Sequence, residues 1–153
     1  MTDPYVIAAN NNKLVTVFGG SGFVGRYVVK ALAARGYRIR VACRRPDLAG
    51  YLRPMGSVGQ VQPVQANLRY PDSVLRAVEG AYAVVNLVGI LHKSGKQTFD
   101  SVQSRGASVL ADAAKKAGAK HFVQMSAIGA DAASSIAYCQ SKGQGEKAVL
   151  ETM

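Results

Sequence analysis

Short apolar runs rich in β-branched residues alternate along this chain with segments whose apolar positions recur every three to four residues. The first run, Leu14 to Phe18, reads as a strand. It ends in glycines, and Phe23, Val24, Tyr27, Val28, Ala31 and Leu32 then fall on one face of a helix over 22–34, stopped near Gly36. A second strand covers 37–43. Its Ile39 and Val41 alternate with Arg38 and Arg40, which predicts a less covered face or arginines near the strand ends. Residues 46–59 read as loop with a helical turn, and 60–66 as a strand that Pro63 pushes towards a sheet edge. A helix over 71–79 has Pro71 at its first turn and Gly80 after its end. A central strand over 83–88, a long helix over 98–116 stopped at Gly118, and a strand over 121–126 follow. The last segment, from Ala137 onward, reads as a helix loosened by Gly143 and Gly145, at about 1 kcal/mol each relative to alanine. Residues 1–12 read as a mobile tail before a single domain over 13–153.

Strand, glycine turn, helix is the context in which a glycine pattern points to nucleotide binding. Leu14-Val-Thr-Val-Phe-Gly-Gly-Ser-Gly-Phe-Val-Gly25 fits two registers, Gly20-x-Gly22-x-x-Gly25 and Gly19-x-x-Gly22-x-x-Gly25. One glycine permits a positive φ, one lets the backbone approach a pyrophosphate, and one lets helix and strand pack closely. The helix start offers free N–H groups and the positive end of a dipole. Gly19, Gly20, Ser21, Gly22, Phe23, Val24 and Gly25 are therefore candidate cofactor-binding residues. The alternation of elements predicts an α/β fold, a Rossmann-type doubly wound parallel sheet of strand order 3-2-1-4-5.

Composition narrows the function classes. The chain has 153 residues, 48% of them hydrophobic, enough for one real core. No apolar run reaches the roughly 18 residues of a membrane span. The start of the chain lacks the basic flank and apolar stretch of a signal peptide. Cys43 and Cys139 have no metal or redox spacing, so no metal is expected and a reduced, cytoplasmic setting is the simpler assumption. A net charge of +10 is scattered and accompanies no nucleic-acid-binding signature. Nucleic acid is not an expected partner. A polyphosphate ligand, or docking on an acidic protein or a lipid surface, fits this charge.

The second strand ends in Cys43-Arg44-Arg45-Pro46, where NAD-binding domains carry an acidic residue for the ribose 2′-hydroxyl. Arginine attracts a 2′-phosphate and a carboxylate repels it, so Arg44 and Arg45 predict NADP(H) in preference to NAD(H). The alternative is two more solvated charges. Asp47 is the nearest carboxylate, with Pro46 expected to turn it away. Further along, Tyr138 and Lys142 stand four apart on one helix face. A nearby cation favours a phenolate, which makes Tyr138 a candidate general acid/base, with Lys142 also reaching a ribose hydroxyl. Ser126 ends the fifth strand, at the sheet edge where ligands bind, and could hydrogen-bond a substrate carbonyl.

These residues resemble the short-chain dehydrogenase/reductase superfamily, in its extended and atypical branch of epimerase/dehydratase-like proteins, which uses Gly19-x-x-Gly22-x-x-Gly25. Ser126, Tyr138 and Lys142 resemble its catalytic set. The resemblance implies that Asn67-Leu68, where the family usually has Asp-Leu, lies near adenine, and that Asn86-Leu-Val-Gly89 passes under the cofactor. Asn86 reads equally well as a buried amide of the central strand, and Tyr138 with Lys142 as a clamp on the nicotinamide ribose. Gln103 falls where the family's proton relay has asparagine. Val17 to Val28, Arg44-Arg-Pro46, Val84 to Ile90 and Gly145-Glu-Lys147 resemble most the nucleotide-binding accessory subunits of respiratory NADH:ubiquinone oxidoreductase (complex I). That likeness implies two function classes. One is a hydride-transferring oxidoreductase on a small carbonyl, enone or quinone; the other is a module that holds the nucleotide without turnover, at the inner face of a membrane. It also implies a chain truncated before the substrate region of a longer parent, and hence inactive by itself.

Overall fold

Strand β1 (Leu14–Phe18) is buried along its whole length, and everything else is arranged around it. The computed structural model describes residues 3–153. β1 pairs in parallel with β2 (Arg38–Cys43) on one side and β4 (Ala83–Asn86) on the other. β3 (Val61–Gln65) and β5 (His121–Gln124) form the edges, giving the expected order β3-β2-β1-β4-β5. Pro63 sits on the edge strand, where its missing N–H is tolerated. The register stacks Val41, Val17 and Val85 across three neighbouring strands.

Helices cover both faces. α2 (Phe23–Ala34) lies over Val15, Val17, Ile39 and Val41, joined by Leu52 from the segment after β2. α3 (Pro71–Val78) and α4 (Arg105–Lys116) cover the other face, over Phe18 and Val84. Each such buried side chain contributes about 1.5–3 kcal/mol. α5 (Ala137–Thr152) packs on α4 through Val149, Ala107 and Ala111. β5 is less covered, with Val123 55% exposed. No helix among the described residues is long and apolar enough to cross a membrane.

Several sequence expectations are corrected. Residues 4–10, read as tail, form helix α1 (Pro4–Asn10); Met1 and Thr2 lie outside the described residues. Asp3 accepts the Tyr5 N–H at 2.9 Å, with Pro4 in the first turn, a start signal present in the sequence. Asn10 is buried and donates to the Arg35 carbonyl at 2.9 Å, tying α1 to the end of α2. The loop over 46–59 holds two 3-10 segments, Pro46–Leu48 and Gly50–Met55. The long helix opens with a π-helical turn, Asp100–Ser104, before α4. Strands β4 and β5 end two residues earlier than expected, and after β4 the chain leaves the ladder to line the cleft described below.

Arg38 and Arg40 lie on the α3 side of β2. Arg40 donates to the Ala77 and Glu79 carbonyls at 2.7 and 2.9 Å, so it satisfies the end of α3. Burial pulls its pKa down, against the raising influence of Glu79.

Gly143 and Gly145 are not slack in α5. A Cβ at Gly145 would fall on the Gln103 carbonyl oxygen, and one at Gly143 on the backbone of Asp131 and Ala132. Both glycines are points of close approach. Gly145→Ala is therefore expected to destabilise the fold by about 1–3 kcal/mol, although alanine is the better helix former. At about 2–4 °C per kcal/mol for a chain of this size, thermal denaturation reads the loss directly. A variant as stable as the parent would contradict this packing.

Candidate functional site

The carboxyl ends of β1 to β4 open into a cleft of about 260 Å³. Its wall is built from the turns that follow each strand. Gly19, Ser21 and Gly22 come after β1, Cys43 and Arg44 after or at the end of β2, Asn67, Leu68 and Arg69 after β3, and Gly89 and Ile90 after β4. None of its lining residues is acidic.

The first turn has the local geometry that the glycines predict. Gly19 has φ +78°, and a Cβ there would stand 3.0 Å from the Leu87 carbonyl carbon. Gly25 allows α2 to press on the turn, since its Cβ would come within 2.6 Å of Gly20 backbone. Gly22 starts α2 with extended backbone and no side-chain cap. The first N–H groups of a helix lack partners within it. Here no side chain takes them, so they are available to an anion. Tyr51 donates to the Ser21 carbonyl at 2.6 Å, and Arg26 lies 5.6 Å over the Tyr51 ring. The side chains of Phe23 and Val24 are exposed, so these two residues offer the cleft only backbone.

The two arginines after β2 differ. Arg44 lines the cleft and makes no ion pair among the described residues. Arg45 pairs with Asp47 through two hydrogen bonds of 3.0 and 2.7 Å. That pairing raises the Arg45 pKa and lowers that of Asp47. Asp47 is thus turned onto Arg45. Arg44 and Arg45 both line an adjoining hollow of about 580 Å³ with Ser21 and Tyr51. Burial pushes the Cys43 thiol up, which keeps it protonated.

Asn67 lines the cleft, and its Oδ1 accepts the Arg69 N–H at 3.0 Å. Asn86 does not line it. It is 1% exposed, donates to Gln124 Oε1 at 2.9 Å and accepts from the Val88 N–H at 3.1 Å. Of its two sequence readings, the buried amide describes this arrangement: it shapes the turn that carries Gly89.

The residues of α5 stand at the far end. Lys142 is 6% exposed and donates to the Met125 carbonyl at 3.0 Å. Its Nζ lies 3.7 Å from where a Cβ on Gly89 would sit, which brings the ammonium to the cleft rim. Gln103 is buried in the π turn, donating to Ser141 Oγ at 2.8 Å and accepting from the Ile90 N–H at 3.2 Å. It therefore ties the β4 turn to α5. Ser126 donates to Glu146 at 2.9 Å, not to Tyr138. The Tyr138 ring meets Phe99 edge-on, with centroids 5.8 Å apart.

Residues 19–150 match the NAD(P)H-binding family. The chain belongs to that family. This NAD(P)H-binding domain is 34% identical to the mitochondrial NADH dehydrogenase [ubiquinone] 1 alpha subcomplex subunit 9 of Arabidopsis thaliana, over 92% of the chain and 35% of that protein. It is 33% identical to a ceramide reductase of Caulobacter vibrioides, over 94% of the chain and 44% of that protein. The domain thus spans between a third and a half of the length of these relatives. In fold it resembles Pen from Bacillus thuringiensis, with a TM-score of 0.79 and 19% identity over 92% of the chain and 45% of Pen. A pyridine nucleotide is the ligand class of this domain, and the resemblance to atypical short-chain dehydrogenases/reductases stands.

Sequence reasoning missed Arg69 and Tyr51. Arg69 carried a signal, two residues beyond Asn67, but was hidden among scattered basic residues. Tyr51 carried none, because its role depends on how the 3-10 segment folds back over the turn.

Burial lowers the Lys142 pKa from 10.5, since no carboxylate offsets the lost hydration. Between the lowered folded value and 10.5 the unfolded chain binds more protons at this group. Its contribution therefore improves stability as pH rises through that window. Urea unfolding at pH values raised towards 10.5 should show the parent gaining stability relative to Lys142→Met. A constant difference would contradict the burial.

Proposed function

We propose that this domain holds NADP(H), gripping the 2′-phosphate with Arg44, as a binding module rather than a site of turnover. One observation carries the preference: among the described residues Arg44 makes no ion pair, and none of the residues lining its cleft is acidic. NAD-selective sites place a carboxylate near this position to hold the ribose hydroxyls. Each hydrogen bond from a guanidinium to the phosphate adds about 1.5–3 kcal/mol, roughly ten- to a hundredfold in affinity. Arg45 contributes less because Asp47 already offsets its charge.

The rest of the cleft fits the group. The uncapped start of α2 suits the diphosphate, and the close approach at Gly25 keeps that start within reach. Lys142 has three N–H donors and one recorded acceptor, so it retains donors for ribose hydroxyls at the rim. When bound, the nicotinamide supplies hydride chemistry. In this chain Ser126 is engaged by Glu146, and Gln103 is held at both ends, which favours holding over turnover. The relatives named as NADH dehydrogenase subunits suit the same reading, with the basic surface docking on an acidic protein or at the inner, cytoplasmic face of a membrane complex. A reductase on a small carbonyl or quinone is the second reading. It is supported by Tyr138 and Lys142 on one helix and by the relative named as a ceramide reductase.

Calorimetric titration with NADPH and NADH tests the preference. NADPH should bind more tightly, Arg44→Ala should weaken it by about tenfold or more, and NADH should change little. Equal affinities unaltered by Arg44→Ala would refute the proposal. Mixing the full-length protein with NADPH and a panel of quinones and carbonyls should give no steady oxidation. Steady oxidation lost in Tyr138→Phe would establish the reductase instead.

A further inference from the structure

The least satisfied polar group in the cleft belongs to a residue with no role so far. Arg69 lines the wall after β3, and its Nε is buried with no hydrogen-bond partner among the described residues. An unsatisfied buried donor is costly and rare, and it calls for an acceptor from outside the chain. Among the described residues the guanidinium has no ion pair to supply one. Asp47 is taken by Arg45 and Asp100 by Arg105. Arg69 rests 5.5 Å over the Tyr70 ring, which braces the group without offering it an oxygen.

We infer that Arg69 is a specificity-determining residue that reads the adenine base, donating its Nε–H to a ring nitrogen. The inference rests on the proposal above that Arg44, after β2, grips the 2′-phosphate, which sets the adenosine half beside the neighbouring turn after β3. Its neighbour supports the assignment. Asn67 stands where the resembled family has an acidic residue, but its Oδ1 is committed to the Arg69 backbone. Its Nδ2 has no partner among the described residues. This part of the wall thus presents two unpartnered side-chain donors, Asn67 Nδ2 and Arg69 Nε. A purine offers ring-nitrogen acceptors such as N3 and N7 to such a wall.

Binding of 5′-AMP, 2′,5′-ADP and nicotinamide mononucleotide to the 153-residue chain, followed by NMR titration, separates the possibilities. Arg69→Met and Arg69→Lys should both weaken 5′-AMP and 2′,5′-ADP by the same factor, about tenfold. Nicotinamide mononucleotide should be unaffected. Without ligand, Arg69→Met should melt no lower than the parent, because it removes an unsatisfied donor. A loss confined to 2′,5′-ADP, or full retention in Arg69→Lys, would assign Arg69 to a phosphate through charge and overturn base reading. Unchanged binding of both adenine compounds would mean that water fills the site, and would overturn it equally. A parent chain that binds neither adenine compound would remove the placement of the adenosine half itself, a failure distinct from a normal parent with an indifferent variant.

Discussion

The contact between the first turn of α2 and the end of β1 is the constraint from which the site follows. Gly25 lies so close to Gly19 and Gly20 that no side chain fits between them. That closeness brings the uncapped amides of α2 to the carboxyl edge of the sheet, where neighbouring turns can share a ligand with them. Moving α2 outward by the thickness of one methyl group would separate the helix end from Arg44 and Gly89 on the far walls. It would also open the packing of Val29 against Val17 and Val41. Core and site are here one geometric requirement.

The same device recurs at the other end of the molecule. Gly143 and Gly145 let α5 approach the 131–132 loop and the π turn, and the gap that closes is bridged by polar groups. Gln103 reaches both Ile90 and Ser141, while Lys142 is drawn under the rim to the Met125 carbonyl. A buried ammonium without a carboxylate is unfavourable for folding, and such groups are retained where a ligand benefits. The π turn fits that pattern, since irregular helical turns cluster at functional sites.

Charge is distributed by use more than by number. Of the arginines near the sheet, Arg40 finishes α3 and Arg45 is offset by Asp47. Arg44 and Arg69 are left facing the cleft without ion pairs. A net charge of +10 alone distinguishes none of these roles. The pairing pattern separates the guanidinium groups engaged within the protein from those left unpaired at the cleft.

Element types, the glycine turn and the outer bounds of most elements were legible in the sequence, because they depend on local period and on residues that permit unusual backbone, whereas the strand order came from the fold to which the glycine motif points. The helix at Pro4–Asn10 was legible too, through Asp3 and Pro4, and was overlooked for being short. What only the tertiary structure decided is which partner each polar group finds. Asn86 turned to Gln124, Ser126 to Glu146, Asn67 to the Arg69 backbone, and the Arg69 Nε to no partner among the described residues. The glycines of α5 changed meaning for the same reason, from weak helix formers to points of contact. Periodicity is a property of neighbours along the chain. Hydrogen-bond satisfaction and close approach belong to residues that folding brings together from distant positions, and no local pattern encodes them.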